Sequence, residues 1–143
     1  MADTSAGFRF RGRICGAPPT IQDLLFQGTE TLTKGDMVTL DTGELDLSVT
    51  TDTHLLGVVL ETISGTDSTT RIRVIVDSDA IYGVYDANAR LKGAALDIAG
   101  TTGAMTVASA TNKDVLVYAE STATEETLIT FNTGHHHNMV ATA

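Results

Sequence analysis

The chain has 143 residues, 42% of them hydrophobic and 19% charged, which bounds it to one globular domain and excludes an intrinsically disordered chain. Its net charge of −9 excludes nonspecific nucleic-acid binding, which needs a basic surface to displace counterions from phosphates. A single cysteine excludes an internal disulfide, and no apolar run approaches the ~20 residues that span a bilayer as a helix.

A chain of this length buries roughly 70% of the surface its unfolded form exposes, so it needs no staples to fold. Threonine is abundant and tryptophan absent, which suits solvent-facing strands. Met1 to Ser5 lack the basic and apolar regions of a secretory leader, so none is expected.

The first distinct stretch is Phe8-Arg9-Phe10-Arg11-Gly12-Arg13-Ile14. As a strand it sets Phe8, Phe10, Gly12 and Ile14 on one face and the three arginines on the other. Gly16-Ala17-Pro18-Pro19 then interrupts any regular element, because proline lacks a donor and fixes φ. Two readings follow. One is an edge strand protected by charge. The other, which the elbow favours, is an extended arm over residues 1–22, whose arginines pair with a partner's carboxylates while Phe8, Phe10 and Ile14 fill its grooves. Residues 20–27 read as a helical turn, and a single β domain is expected over 23–134.

Short β-rich runs then recur between Gly-, Asp- and Asn-rich turns: 36–40, 45–50, 54–62, 70–76, 80–85, 94–98, 104–109, 114–120 and 127–131. Leu55-Leu56-Gly57-Val58-Val59-Leu60 is continuous and apolar; Ile72-Arg73-Val74-Ile75-Val76 alternates. Asp86 can cap a brief helix through Leu91. The expected fold is all-β, a small barrel or sandwich. The order Lys-Gly, strand, turn, strand, apolar strand, final strand runs twice, over about 29–76 and 87–131, which reads as a duplicated unit or as convergent β-meander patterning.

Chemical constellations are sparse. His135-His136-His137 is the visible candidate for a metal, in a tail spanning 135–143. Neighbours in an extended chain point to opposite faces, and zinc needs converging ligands, so one chain is not expected to hold a metal here. Asp77 and Asp79 lack the rest of an EF-hand loop and read as solvated, as do Glu125 and Glu126 in a turn. His54 and Cys15 have no catalytic partner at a recognisable spacing. Neither an enzyme nor a cofactor is expected, although a site shared between subunits would escape a reading of one chain.

The runs Lys34-Gly35-Asp36-Met37-Val38-Thr39-Leu40, Leu55 to Thr62 and Ile72 to Val76 resemble small structural proteins of tailed bacteriophages, in particular head-decoration or cement proteins. The resemblance covers most of residues 29–131 and rests on turns and apolar strands, not on invariant chemistry. It implies a virion protein, made in the host bacterial cytoplasm, that sits as a homotrimer on the major capsid protein and stabilises the expanded shell. The basic segment Phe8, Arg9, Phe10, Arg11, Arg13 and Ile14 would then face the shell. The alternative is a non-catalytic β binding module of a phage fibre or surface adhesin, against which the scarcity of aromatic side chains weighs.

Overall fold

The computed structural model describes residues 7–26, 31–41, 44–48, 54–64, 71–86, 88–109, 113–122, 125–132 and 135–136. Among them the protein is all-β. The strands are β1 (Arg9–Arg13), β2 (Ile21–Phe26), β3 (Thr31–Leu32), β4 (Met37–Asp41), β5 (Glu44–Leu47), β6 (Gly57–Val58), β7 (Ile63–Ser64), β8 (Arg71–Ile75), β9 (Ala80–Asp86), β10 (Ala95–Ala99), β11 (Thr106–Ser109), β12 (Val115–Ala119) and β13 (Glu125–Phe131). A six-stranded sheet runs β1-β9-β13-β12-β10-β11, and a five-stranded sheet runs β6-β4-β5-β2-β8. A short β3–β7 ribbon accompanies them.

Both sheets curl. In the five-stranded sheet the end strands meet through a Val59–Val74 bridge, with Leu60 N donating to Arg73 O at 2.9 Å. The resulting small barrel encloses Phe26, Leu32, Val38, Leu45, Leu56, Val59, Ile72 and Val74. The six-stranded sheet bends so that Gly7 N reaches Met105 O (2.9 Å) and Thr106 Oγ1 reaches Tyr85 O (3.1 Å). Its inner face, with Tyr82, Ile98, Val115 and Ile129, shares one core with Met37, Leu55, Val58 and Ile75 of the barrel's outer face.

This explains the continuous apolar run. Leu56 and Val59 enter the barrel, whereas Leu55 and Val58 face the sheet packed over it. A strand buried on both faces loses the alternation of a half-buried one. β8 keeps its alternation at Ile72 and Val74, which point inward, and at Arg71 and Arg73, which are exposed.

Local strand order agrees between the two segments: β8-β6-β4-β5 in one and β13-β12-β10-β11 in the other. Strand order by itself does not make them copies of one ancestor.

Three expectations need correction. Residues 9–13 are not an arm standing off the body: β1 pairs antiparallel with β9, and the boundary expected at 22/23 falls inside β2. Ile21–Phe26 is a strand, not a helical turn, because β5 and β8 supply hydrogen-bonding partners on both its sides. Described residues after Asp86 form no helix; the Asp86 carboxylate accepts from Asn88 N and pairs with Arg90, and Arg90 bridges Ser121.

Candidate functional site

The basic strand is the natural place to look for a binding site, and its faces divide as its alternation predicts. Phe8 is buried in the shared core, and Phe10 meets Tyr82 edge-on with ring centroids 6.3 Å apart. Neither ring is free to fill a partner's groove. On the opposite face Arg9 lies across from Gly83 of β9. Gly83 matters because it has no side chain: a Cβ there would strike the Glu126 carboxylate, which lies over that position. Glu126, on the next strand, thereby crosses β9 to reach the arginines. Arg11 donates from Nε and Nη2 to the two Glu126 oxygens, at 2.7 Å each, and an Arg9 Nη1 stands 3.7 Å away. A register shift between Phe10 and Gly12 leaves Arg11 without an opposite residue and aims it at the carboxylate Arg9 also faces.

Arg13 closes the strand. Its Nε donates to Asp79 Oδ1 at 2.7 Å, its Nη1 lies 3.5 Å from Asp77 Oδ1, and the same nitrogen donates to Pro18 O at 3.3 Å. The two aspartates also grip the following loop: Asp77 Oδ2 accepts from Thr20 N (2.7 Å) and Asp79 Oδ2 from Cys15 N (3.3 Å). The Asp79 hydrogen bond, opposed by partial burial, raises the Arg13 guanidinium above its usual range. Burial pushes the Asp79 carboxyl up, but the Cys15 thiol, Arg13 and Cys15 N–H together outweigh it and hold it below the usual carboxylate range. The carboxylates expected on a partner are thus supplied by the chain itself. Asp77, Asp79 and Glu126 are not merely solvated.

The histidine run divides. His136 is fully buried, with Nε2 2.6 Å from Leu56 O and its ring 4.7 Å from that of Phe131. His135 N donates to Asn132 O, and its carbonyl accepts from Leu55 N. Its Nδ1 faces the buried Asp114 Oδ1 at 3.5 Å. Residues 135–136 therefore strap the chain onto the barrel. His137 lies outside the described residues, and no three His, Cys, Asp or Glu among those described converge as a metal site.

Burial, reinforced by Asp97, pushes the Asp114 carboxyl above its usual range, against the opposing pull of Ile98 N–H and His135. A carboxyl raised in the fold favours folding in its neutral form, so its contribution is present at low pH and is lost as pH rises through the folded pKa. Asp114→Asn keeps an acceptor for Ile98 N and carries no charge to bury. Urea midpoints are expected to favour the variant increasingly as pH climbs from about 4 to 7. A difference flat across that range would show that Asp114 does not titrate against the fold.

Of the remaining candidates, His54 and Cys15 are exposed. Neither a protein-family model nor a curated protein matches the chain.

Proposed function

We propose that the chain is a structural virion protein that sits as an oligomer on the outside of an assembled phage capsid shell and stabilises it by binding the major capsid protein. The observation that carries this reading is how the chain uses its polar groups. Asp36, Asp77, Asp97 and Asp114 each accept backbone N–H groups, and Arg11 and Arg13 pair with Glu126 and Asp79 within the chain. Such a scaffold keeps its shape without a ligand, as a clamp between subunits must. The Lys34–Val76 resemblance supplies the particle. A protein that binds only the assembled lattice stabilises it by mass action, and several attachment points per oligomer make weak contacts durable.

Deleting residues 1–22 is a poor test, because it removes a sheet strand and the buried Phe8. The direct test adds the intact protein to expanded shells assembled from a tailed-phage major capsid protein, then sediments and heats them. Decorated shells are expected to pellet with the protein and to break at a higher temperature than bare ones. Protein left in the supernatant would sink the reading.

A further inference from the structure

Asp97 and Asp114 are both buried, and each holds the backbone of the other's segment. Asp97 Oδ1 accepts from Lys113 N at 2.6 Å, and Asp114 Oδ2 accepts from Ile98 N at 3.2 Å. Among the described residues Lys113 alone, apart from glycines, has a left-handed φ, at 61°, so these bonds fix a turn that an L residue otherwise avoids. The chain leaving β13 is tied to the same turn: Asn132 Nδ2 donates to Lys113 O (2.8 Å) and Asn132 N to Asp114 O (3.1 Å). His135 Nδ1 then faces Asp114 Oδ1 at 3.5 Å. Both atoms are buried, and neither has any other partner among the described residues. His135 O accepts from Leu55 N, His136 pairs with Leu55, and the His136 ring lies on Phe131. The strap thus runs from a buried acid pair to the barrel.

We propose that His135 and His136 form a proton-operated latch, which holds Leu55 while Asp114 and His135 share a proton and lets go as that proton leaves. Two carboxyls buried at one turn cannot both ionise cheaply. A proton between Asp114 Oδ1 and His135 Nδ1 removes one of the two charges, or pairs it with an imidazolium, and gives both atoms a partner. A neutral His135 can still donate to an ionised Asp114, but that leaves two negative charges buried together. Burial raises the Asp114 carboxyl, against Ile98 N–H; of the titratable groups facing it, Asp97 on β10 adds to the rise and His135 on the strap opposes it. Lys113 is exposed and meets the group through its backbone. When the strap opens, water reaches Asp114 and its carboxyl returns toward about 4. The closed state therefore holds the proton more tightly than the open one. Latching is complete below the open-state value and is lost as pH rises through the closed-state value. Release uncovers Leu55 and Phe131, apolar groups of the shared core.

The latch does not depend on the capsid reading, and its test uses the intact chain alone. Amide exchange compares Leu55 N–H, which donates to His135 O, with Leu56 N–H, which donates to Val38 O within the barrel. After correction for intrinsic exchange, the Leu55 rate relative to Leu56 is expected to rise up to about tenfold per pH unit above about pH 4, the slope of one proton, and then to level off. Asp114→Asn is expected to abolish the rise. Asp97→Asn is expected to make it level off at lower pH, because the charge that raises Asp114 is gone. His135→Gln is expected to make it level off at higher pH, because the group that lowers Asp114 is gone. A purely structural role for these side chains would not displace the profile in opposite directions. A wild-type ratio flat with pH overturns the latch, as does an Asp114→Asn ratio that rises like the wild type's. Should Asp114→Asn fail to fold, the other two variants decide: displacements in the same direction, or none, overturn it as well.

Discussion

Gly57→Ala is expected to cost about 3 kcal/mol or more, near the upper end for overpacking, because the added methyl meets backbone. A Cβ at position 57 would fall on Ile75 O and its carbonyl carbon, well inside van der Waals separation, and 3.3 Å from the Tyr82 hydroxyl. Neither strand can step aside cheaply. β6 is held on one side by β4, with Val38 opposite Gly57, and on the other by the Val59–Val74 bridge that closes the barrel. Relief must come from parting β6 and β8, which opens the core holding Val59 and Val74. Gly83 is the contrast: there the crowding atoms belong to the flexible end of Glu126, so a methyl displaces a carboxylate and not a strand. The urea midpoint of Gly57→Ala measures the effect. A loss below about 1 kcal/mol would mean that the barrel seam tolerates separation and that Gly57 is not what lets it close.

The strands themselves were legible. The runs 36–40, 70–76, 94–98 and 114–120 lie over β4, β8, β10 and β12, because alternation and turn residues are local signals. β2 was not legible. Ile21-Gln22-Asp23-Leu24-Leu25-Phe26 has one β-branched residue, and its strand state comes from pairing with β5 and β8, the latter some fifty positions along the chain, which overrides weak propensity. The basic strand was half legible. Alternation gave its two faces, but Arg11 and Glu126 are 115 positions apart and Arg13 and Asp79 are 66, and no local pattern announces such partners. The Gly-Ala-Pro-Pro elbow does interrupt the strand, yet a break in one element does not mark the edge of a domain. Similarly, the three adjacent histidines gave no local sign of their contacts: the two described ones each bind a different part of the fold, Asp114 for His135, Leu56 O and Phe131 for His136.

One buried carboxylate fastens a turn of one sheet to a turn of the other, beside their shared apolar core. Asp36 is fully buried, and its oxygens accept from Thr33 N (2.8 Å), Thr102 Oγ1 (2.6 Å) and Gly103 N (2.9 Å). Its own N–H donates to Thr33 O and its carbonyl accepts from Val59 N. The turn entering β4 is thus fastened to the turn between β10 and β11, close to where Met37 N meets Met105 Sδ at 3.2 Å. Asp36→Ala would take the shared acceptor from two backbone donors and a hydroxyl and leave a void at a fully buried position, at an expected cost of about 2–4 kcal/mol. Asp36→Asn keeps one acceptor oxygen but turns an NH2 toward a donor, so it is expected to cost about 1–3 kcal/mol. The order Ala worse than Asn, read from urea midpoints, separates lost hydrogen bonding from lost volume. Amide exchange gives the second readout. If Asp36 joins the sheets, Gly103 N–H must exchange faster in Asp36→Ala than in wild type by more than the global destabilisation predicts. Equal protection there would place the energetic role of Asp36 in its own turn, at Thr33, and leave the shared apolar core as what holds the two sheets together.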